Sequence, residues 1–288
     1  MGVLDESDTE SQSFRERLPV PALREYVACV WVKRVGAQSP PHLFRTVPNG
    51  SAEIVCDIGS LPKVVGPLTR PTEELLASGT ISVGVRFRPG AASAALDAPA
   101  SELIDLQVNA DELWSRFAVA LGERVAAASS PQAALALLES AVVDRVRAQT
   151  VAIDGLAIAA AHRLRFASNG GVRALARSLG ISERQLRRRC ERSTGLGPKT
   201  LQRMFRFQRF LALAGADSTA RPSLARLARE AGYSDQSHLS RESMRLAGRP
   251  PARVLSDAAD DCRDSHDHAV SYGPLVGIVV DELAERLG

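Results

Sequence analysis

Between Ser182 and Gly195 the chain places Arg184, Arg187, Arg188, Arg189 and Arg192, with Gln185 among them. Guanidinium groups are permanently charged forks of N–H donors that match phosphate oxygens and the O6 and N7 edge of guanine, and a glutamine amide matches adenine. A second polar set follows at Gln236, Ser237, His238, Ser240 and Arg241. Side chains of these types donate to or accept from a polyanion's backbone and edges, so the chemistry they offer is recognition, not bond making.

The charge balance isolates the same region. The 288 residues carry 36 Lys/Arg and 33 Asp/Glu, a net of +3. Residues 1 to 169 hold 16 basic and 19 acidic groups, a net of −3; residues 170 to 255 hold 18 and 6, a net of +12; residues 256 to 288 hold 2 and 8, a net of −6. Of the 18 cations in the middle segment, all but Lys199 are arginine. A compact cationic segment in an otherwise acidic chain is the electrostatic footprint of a polyanion-binding domain. A solvated basic face is the plainer alternative.

The elements that must hold these side chains show as a repeat. LARSLGIS at Leu175 to Ser182 returns as LAREAGYS at Leu227 to Ser234, 52 residues on, while Leu186, Arg188, Arg192, Gly195 and Pro198 return as Leu239, Arg241, Arg245, Gly248 and Pro251, 53 residues on. The extra residue falls just after Gly180 and Gly232, where a loop accepts an insertion and a helix does not. Val172, Leu175, Ala176 and Leu179 form one stripe, Gly180 suits a helix end, and Ser182 suits the cap of a helix from Glu183 to Thr194 that buries Leu186 and Cys190. In the second copy Leu224, Leu227, Ala228 and Ala231 form the stripe, Tyr233 packs at the turn, and Ser234 or Asp235 caps. Between the copies a helix runs from Pro198 to about Ala214 with Leu201, Met204, Phe205 and Leu211 inward and Lys199, Arg203 and Arg206 along another stripe. A short helix, a turn and a polar helix form the layout that enters a DNA major groove, and two such units reach successive grooves if they lie roughly 34 Å apart.

The pattern LARSLGISERQLRRRCERSTGLGPKTLQR, then a helix, then LAREAGYSDQSHLSRESMRLAGRPPARVL resembles the DNA-binding domain of AraC-type transcriptional regulators, with Asp154 to Phe166 similar to that family's leading helix. The resemblance implies base contacts from Arg184, Arg187 and Arg188 in the first unit and from Gln236, His238 and Arg241 in the second, although His238 could instead only support the helix start. Phosphate contacts are expected from Arg189, Lys199, Arg203, Arg206 and Ser237, because half or more of protein–DNA hydrogen bonds go to the backbone. Arg192 and Arg245 read as packing or phosphate contacts. The family usually has a buried aromatic where this chain has Cys190 and Ser243, so the second unit is expected to be less stable unless the serine finds a partner.

The first half reads as a β-rich unit followed by helices. Val27 to Val35 predicts a strand, Asn49-Gly50 a hairpin turn, and Ile81 to Phe87 a half-buried strand. Two amphipathic helices between Ser101 and Arg147 are separated at Ser129-Ser130-Pro131. VPNG, VGP and GVRFRPGAA resemble the uncharacterised N-terminal domain of one branch of AraC-type regulators. Arg86 and Arg88 leave their strand on one face, for structural salt bridges or, less plainly, an anionic effector.

The expected architecture is an α+β sensory or dimerisation domain over residues 1–150, an all-α domain with two helix-turn-helix units and a linker helix over 154–256, and an acidic tail over 257–288 with a short helix at Gly277 to Leu287. No apolar run approaches the ~20 residues of a membrane span, and MGVLDESDTE has no secretion-signal pattern, so a cytoplasmic protein without membrane contact is expected. No GxSxG, P-loop or HExxH occurs, the multi-histidine set of a catalytic cupin is missing, and Cys29, Cys56, Cys190 and Cys262 include neither a CxxC pair nor a PCHR-like setting. Cys262, His266 and His268 are a weak metal candidate. The expectation is a non-enzymatic regulator without cofactor or metal, with double-stranded DNA, a small-molecule effector, a homodimer partner and, for an activator, RNA polymerase as partners. The alternatives are a ligand-binding or enzymatic protein with a degenerate DNA-binding domain, and a nonspecific nucleoid-type binder.

Overall fold

The computed structural model describes residues 12–149, 153–166, 171–216, 223–262, 266–268 and 270–272. Its first part is built on a seven-stranded sheet. In chain order the strands are β1 (Gln12–Arg17), β2 (Val27–Val35), β3 (His42–Thr46), β4 (Glu53–Asp57), β5 (Lys63–Val65), β6 (Thr72–Leu76), β7 (Ile81–Phe87), β8 (Gln107–Asn109) and β9 (His266–Asp267). The large sheet runs β8-β5-β4-β7-β2-β1-β9, and β3 pairs with β6 as a separate ribbon. Helices α1 (Ser93–Leu96), α2 (Asp111–Trp114), α3 (Arg116–Ala126) and α4 (Pro131–Arg147) follow, and α4 packs across β2 and β7. Ser130 caps α4 by accepting from the Ala133 N–H, and Pro131 occupies its first turn, where the missing N–H costs nothing.

Two local expectations need correction. Strand β7 is central and covered on both faces, so Ser82 and Gly84 are buried along with Val83, Val85 and Phe87. Gly84 is required there because a Cβ would stand 2.2 Å from the Trp31 indole. Asn49-Gly50 makes no hairpin: β3 before it and β4 after it belong to different sheets. The Asn49 side chain accepts from the Ser51 N–H at 2.9 Å, closing a local turn, and Gly50, at φ +78°, lies against Leu201 and Phe205 of the second part. The turn chemistry was legible, but strand pairing depends on partners elsewhere in the sheet.

The second part holds α5 (Gly155–Phe166), α6 (Val172–Ser178), α7 (Glu183–Thr194), α8 (Pro198–Ala216), α9 (Leu224–Glu230), α10 (Gln236–Ala247) and α11 (Pro251–Cys262). One core joins α5, both helix pairs and α8, and contains Leu186, Cys190, Leu201, Met204, Phe205, Leu239 and Leu246. Phe207 and Phe210 are also buried in it, and Arg209 is buried on the same helix.

The chain then returns to the first part. β9 pairs in parallel with β1, Phe14 opposite His266 and Arg15 opposite Asp267. The Ser271 N–H and hydroxyl bond the two Glu16 oxygens at 3.0 and 2.9 Å, and the His268 ring stacks on Phe14. Burial alone would raise the Glu16 carboxyl, yet the His268 ring and the Arg86 guanidinium outweigh it and hold the group at about 2. The helix expected at Gly277 to Leu287 and the side chains of Cys262 and His266 lie outside the described residues. Among the described residues no helix is long and apolar enough to cross a membrane.

Candidate nucleic-acid interface

Each polar helix is set by the same local devices. In the first unit Gly180, at φ +68°, ends α6, and Ser182 and Gln185 cap α7 reciprocally: the Ser182 Oγ accepts the Gln185 N–H at 3.2 Å while the Gln185 Oε1 accepts the Ser182 N–H at 2.8 Å. Gln185 therefore belongs to the helix start. In the second unit Gly232 ends α9, Tyr233 is buried as expected, and Asp235 caps α10 by accepting the His238 N–H at 2.7 Å. The inserted residue lies in that turn: two residues separate Gly232 from its cap, one separates Gly180 from Ser182.

Leu186 and Cys190 face inward on α7, as Leu239 and Ser243 do on α10, which leaves Arg184, Arg187, Arg188 and Arg192 exposed on one helix and Gln236, Ser237 and Arg241 exposed on the other. Arg187 pairs with Glu191 one turn on, at 2.7 Å. Arg189 is half-buried and pairs at 2.7 Å with Asp154, which also accepts the Leu156 and Ala157 N–H groups at the start of α5. His238 is half-buried, its Nδ1 3.2 Å from the Ser234 hydroxyl and its ring edge-on to Tyr233.

The stripe on α8 divides. Lys199 is exposed, Arg203 is held by Glu242 of α10 at 2.7 Å, and Arg206 lies over the Tyr233 ring, 5.5 Å from its centroid. Arg203 and Arg206 thus bind α8 to the second unit, a tie that helical spacing alone could not reveal. Ser243 is fully buried, and its hydroxyl donates to the Arg249 carbonyl at 2.6 Å, so the serine has the partner that the sequence required.

Two family models match the chain: a domain of unknown function, DUF6597, over residues 15–109, and a helix-turn-helix domain over residues 175–257. Residues 175–257 thus form a helix-turn-helix DNA-binding domain. The chain that carries it is a DNA-binding transcriptional regulator. No curated protein matches the chain. Among solved structures it is similar to apo ToxT from Vibrio cholerae (14% identity, 79% of this chain and 96% of that one, TM-score 0.45) and to a second crystal form of ToxT (13%, 85% and 98%, 0.44). ToxT with bound unsaturated fatty acid is similar at 13% identity over 75% and 87%, with a TM-score of 0.39.

The helix-turn-helix domain and the sheet domain enclose a cavity of about 1670 Å³, walled by Phe14, Trp31 and Phe44 on one side and by Phe205, Leu211 and Leu255 on the other. Lys33 is buried in its wall, with Nζ 4.2 Å from the Phe44 centroid and 3.6 Å from Glu74, and burial pulls its pKa down. Arg86 pairs with Glu53 at 2.7 Å and Glu16 at 2.9 Å, which is the salt-bridge reading of that residue. Arg88 donates to the Arg24 carbonyl at 2.8 Å.

Proposed function

We propose that the protein reads specific DNA by placing α7 and α10 in successive major grooves. One observation carries this reading: both helices are capped at their N-terminal ends and expose polar side chains there, while the glycine at the C-terminal end of each faces the sheet domain. The N-terminal residues of a recognition helix are the ones that meet base edges. Arg184, Arg187 and Arg188 would read one half-site and Gln236, His238 and Arg241 the other. Lys199, Arg206 and Ser237 would meet phosphates, and Arg189 and Arg203 would do so while sharing their guanidinium groups with Asp154 and Glu242.

The sheet domain would act as the sensor. The cavity between the domains, lined by aromatic and aliphatic side chains together with charged groups such as Lys33 and Arg86, is the place for a small-molecule effector with an apolar body. In this reading the protein is cytoplasmic and not an enzyme, needs no cofactor, forms homodimers and, as an activator, touches RNA polymerase.

Selection of bound fragments from random DNA, with and without cell extract as a source of effector, tests the proposal. Recovery of one motif with two blocks about one helical turn apart is expected, and enrichment of nothing overturns it. Arg188→Ala should cost about 1–3 kcal/mol and relax preference at one position, whereas Lys199→Ala should weaken all sequences alike and lower the salt slope by about 0.9. Identical behaviour of the two variants would refute the assignment of roles.

A further inference from the structure

The sheet domain grips the DNA-binding domain at three places, one on each element that fixes the reading geometry. The end of α7 is the first. Gly195, at φ +74°, sits so close to the loop after α1 that a Cβ would stand 2.8 Å from the Ile104 side chain and 2.9 Å from the Ala100 carbonyl oxygen. The middle of α8 is the second. Gly50 lies against Leu201 and Phe205, where a Cβ would stand 3.0 and 3.3 Å away, and the Gln208 amide donates to the Pro48 carbonyl at 3.1 Å.

The end of α10 is the third. Gly248, also left-handed at φ +68°, faces Pro71, and the next residue, Arg249, reaches Glu73 of β6 at 3.4 Å and Asp257 of α11 at 2.8 Å. Arg45 of β3 closes the group, 2.7 Å from Glu73 and 4.0 Å from Asp257. The two C-terminal glycines, equivalent in the repeat, are therefore both seated on one body.

We infer that the sheet domain sets the separation and relative orientation of α7 and α10, and through them the half-site spacing that the protein accepts. Ala100, Ile104 and Glu73 are positioning residues for DNA recognition that themselves touch no DNA. The inference rests on the two-groove reading. Spacing is a demanding requirement, because each added base pair moves one half-site by about 3.4 Å and rotates it by about 35° relative to the other. Helix α8 packs on both units and is the competing determinant; if it alone fixes the geometry, the grip is irrelevant to spacing.

The test uses the full chain and the selected DNA site with its two half-sites moved apart or together by one or two base pairs, alongside each half-site alone. Gly195→Asn suits a left-handed helix end, yet brings a Cβ against a backbone oxygen that has no rotamer to escape into. Glu73→Lys sets a cation against Arg249 and Arg45 from an exposed strand position. Gly180→Asn is the control, left-handed as well but with nothing within 4 Å.

Wild type and Gly180→Asn should prefer one spacing by about tenfold or more, and Gly195→Asn and Glu73→Lys should reduce that preference to about threefold or less with single half-site affinity unchanged. Retention of the wild-type spacing profile by both variants overturns the inference and assigns the geometry to α8. Loss of single half-site affinity in both overturns it as well, because positioning does not act on one helix alone. If wild-type binding is indifferent to the second half-site, the two-groove reading itself has failed.

Discussion

The two helix-turn-helix units share a backbone and differ in where their polar ties lie. Helix α7 starts with a reciprocal serine and glutamine cap, while α10 starts with a carboxylate accepting a backbone N–H. At the far end of α7 the Thr194 hydroxyl bonds the Cys190 and Leu196 carbonyls at 2.8 and 3.0 Å. The equivalent position on α10 is Ala247, and the tie has moved to Ser243, whose hydroxyl reaches the Arg249 carbonyl. The departure that marked the second unit as weak in sequence is the group that fixes the backbone of Arg249, the residue docked on the sheet domain. The comparison teaches that the motif needs a left-handed glycine, a cap and a buried leucine, while the remaining positions are open to a different surface in each copy.

The largest effect tests whether the units are one cooperative body. Leu186 and Leu239 are fully buried in a single core around α8. Leu186→Ala and Leu239→Ala should each cost about 2–5 kcal/mol and lower one shared calorimetric transition; two separate transitions would mean that the units fold independently. Next, Ser243→Ala should destabilise the domain by about 1–3 kcal/mol, since the part-buried bond to the Arg249 carbonyl is lost, and an unchanged melting temperature would show that the tie is idle.

The caps give the smallest and most discriminating comparison. Ser182→Ala should cost about 1 kcal/mol at any pH. Asp235→Ala should lower the melting temperature near neutrality too, but its effect should fade in acid. The His238 N–H, first, and the Ser234 hydroxyl hold the Asp235 carboxyl below its ordinary value of 3.8. A lowered folded-state pKa means that the stabilisation is complete above the unfolded value and is lost as pH falls through the folded one. Melting curves of both variants from pH 7 down to about 3 should therefore diverge, and parallel curves would show that the carboxylate charge is not what caps α10.

Much of the DNA-binding domain was legible because its determinants are local. Glycine positions, caps and leucine spacing lie within a few residues of the turns they specify, and the repeat displayed them twice. Even the inserted residue fell where expected, between Gly232 and Asp235. The exposed faces of α7 and α10 followed from the same periodicity. Less was legible where a partner comes from far along the chain. Arg189 and Arg203 looked like free cations but meet Asp154 and Glu242, 35 and 39 residues away. Asn49-Gly50 carried a true turn signal and no hairpin, and Ser82 and Gly84 looked like the wet face of β7 until Trp31 and the neighbouring strands covered it.

By itself the sequence determined that this chain holds two helix-turn-helix units with arginine on one polar helix and amide, imidazole and guanidinium groups on the other, because those features follow from side-chain type and 3.6-residue periodicity. Only the tertiary structure decided which cations are exposed and that the acidic tail returns as a strand beside β1. It alone seated Gly195 and Gly248 on the sheet domain and opened a cavity between the two bodies. Those outcomes depend on contacts between residues distant in the chain, and packing is a property of pairs that no single segment encodes.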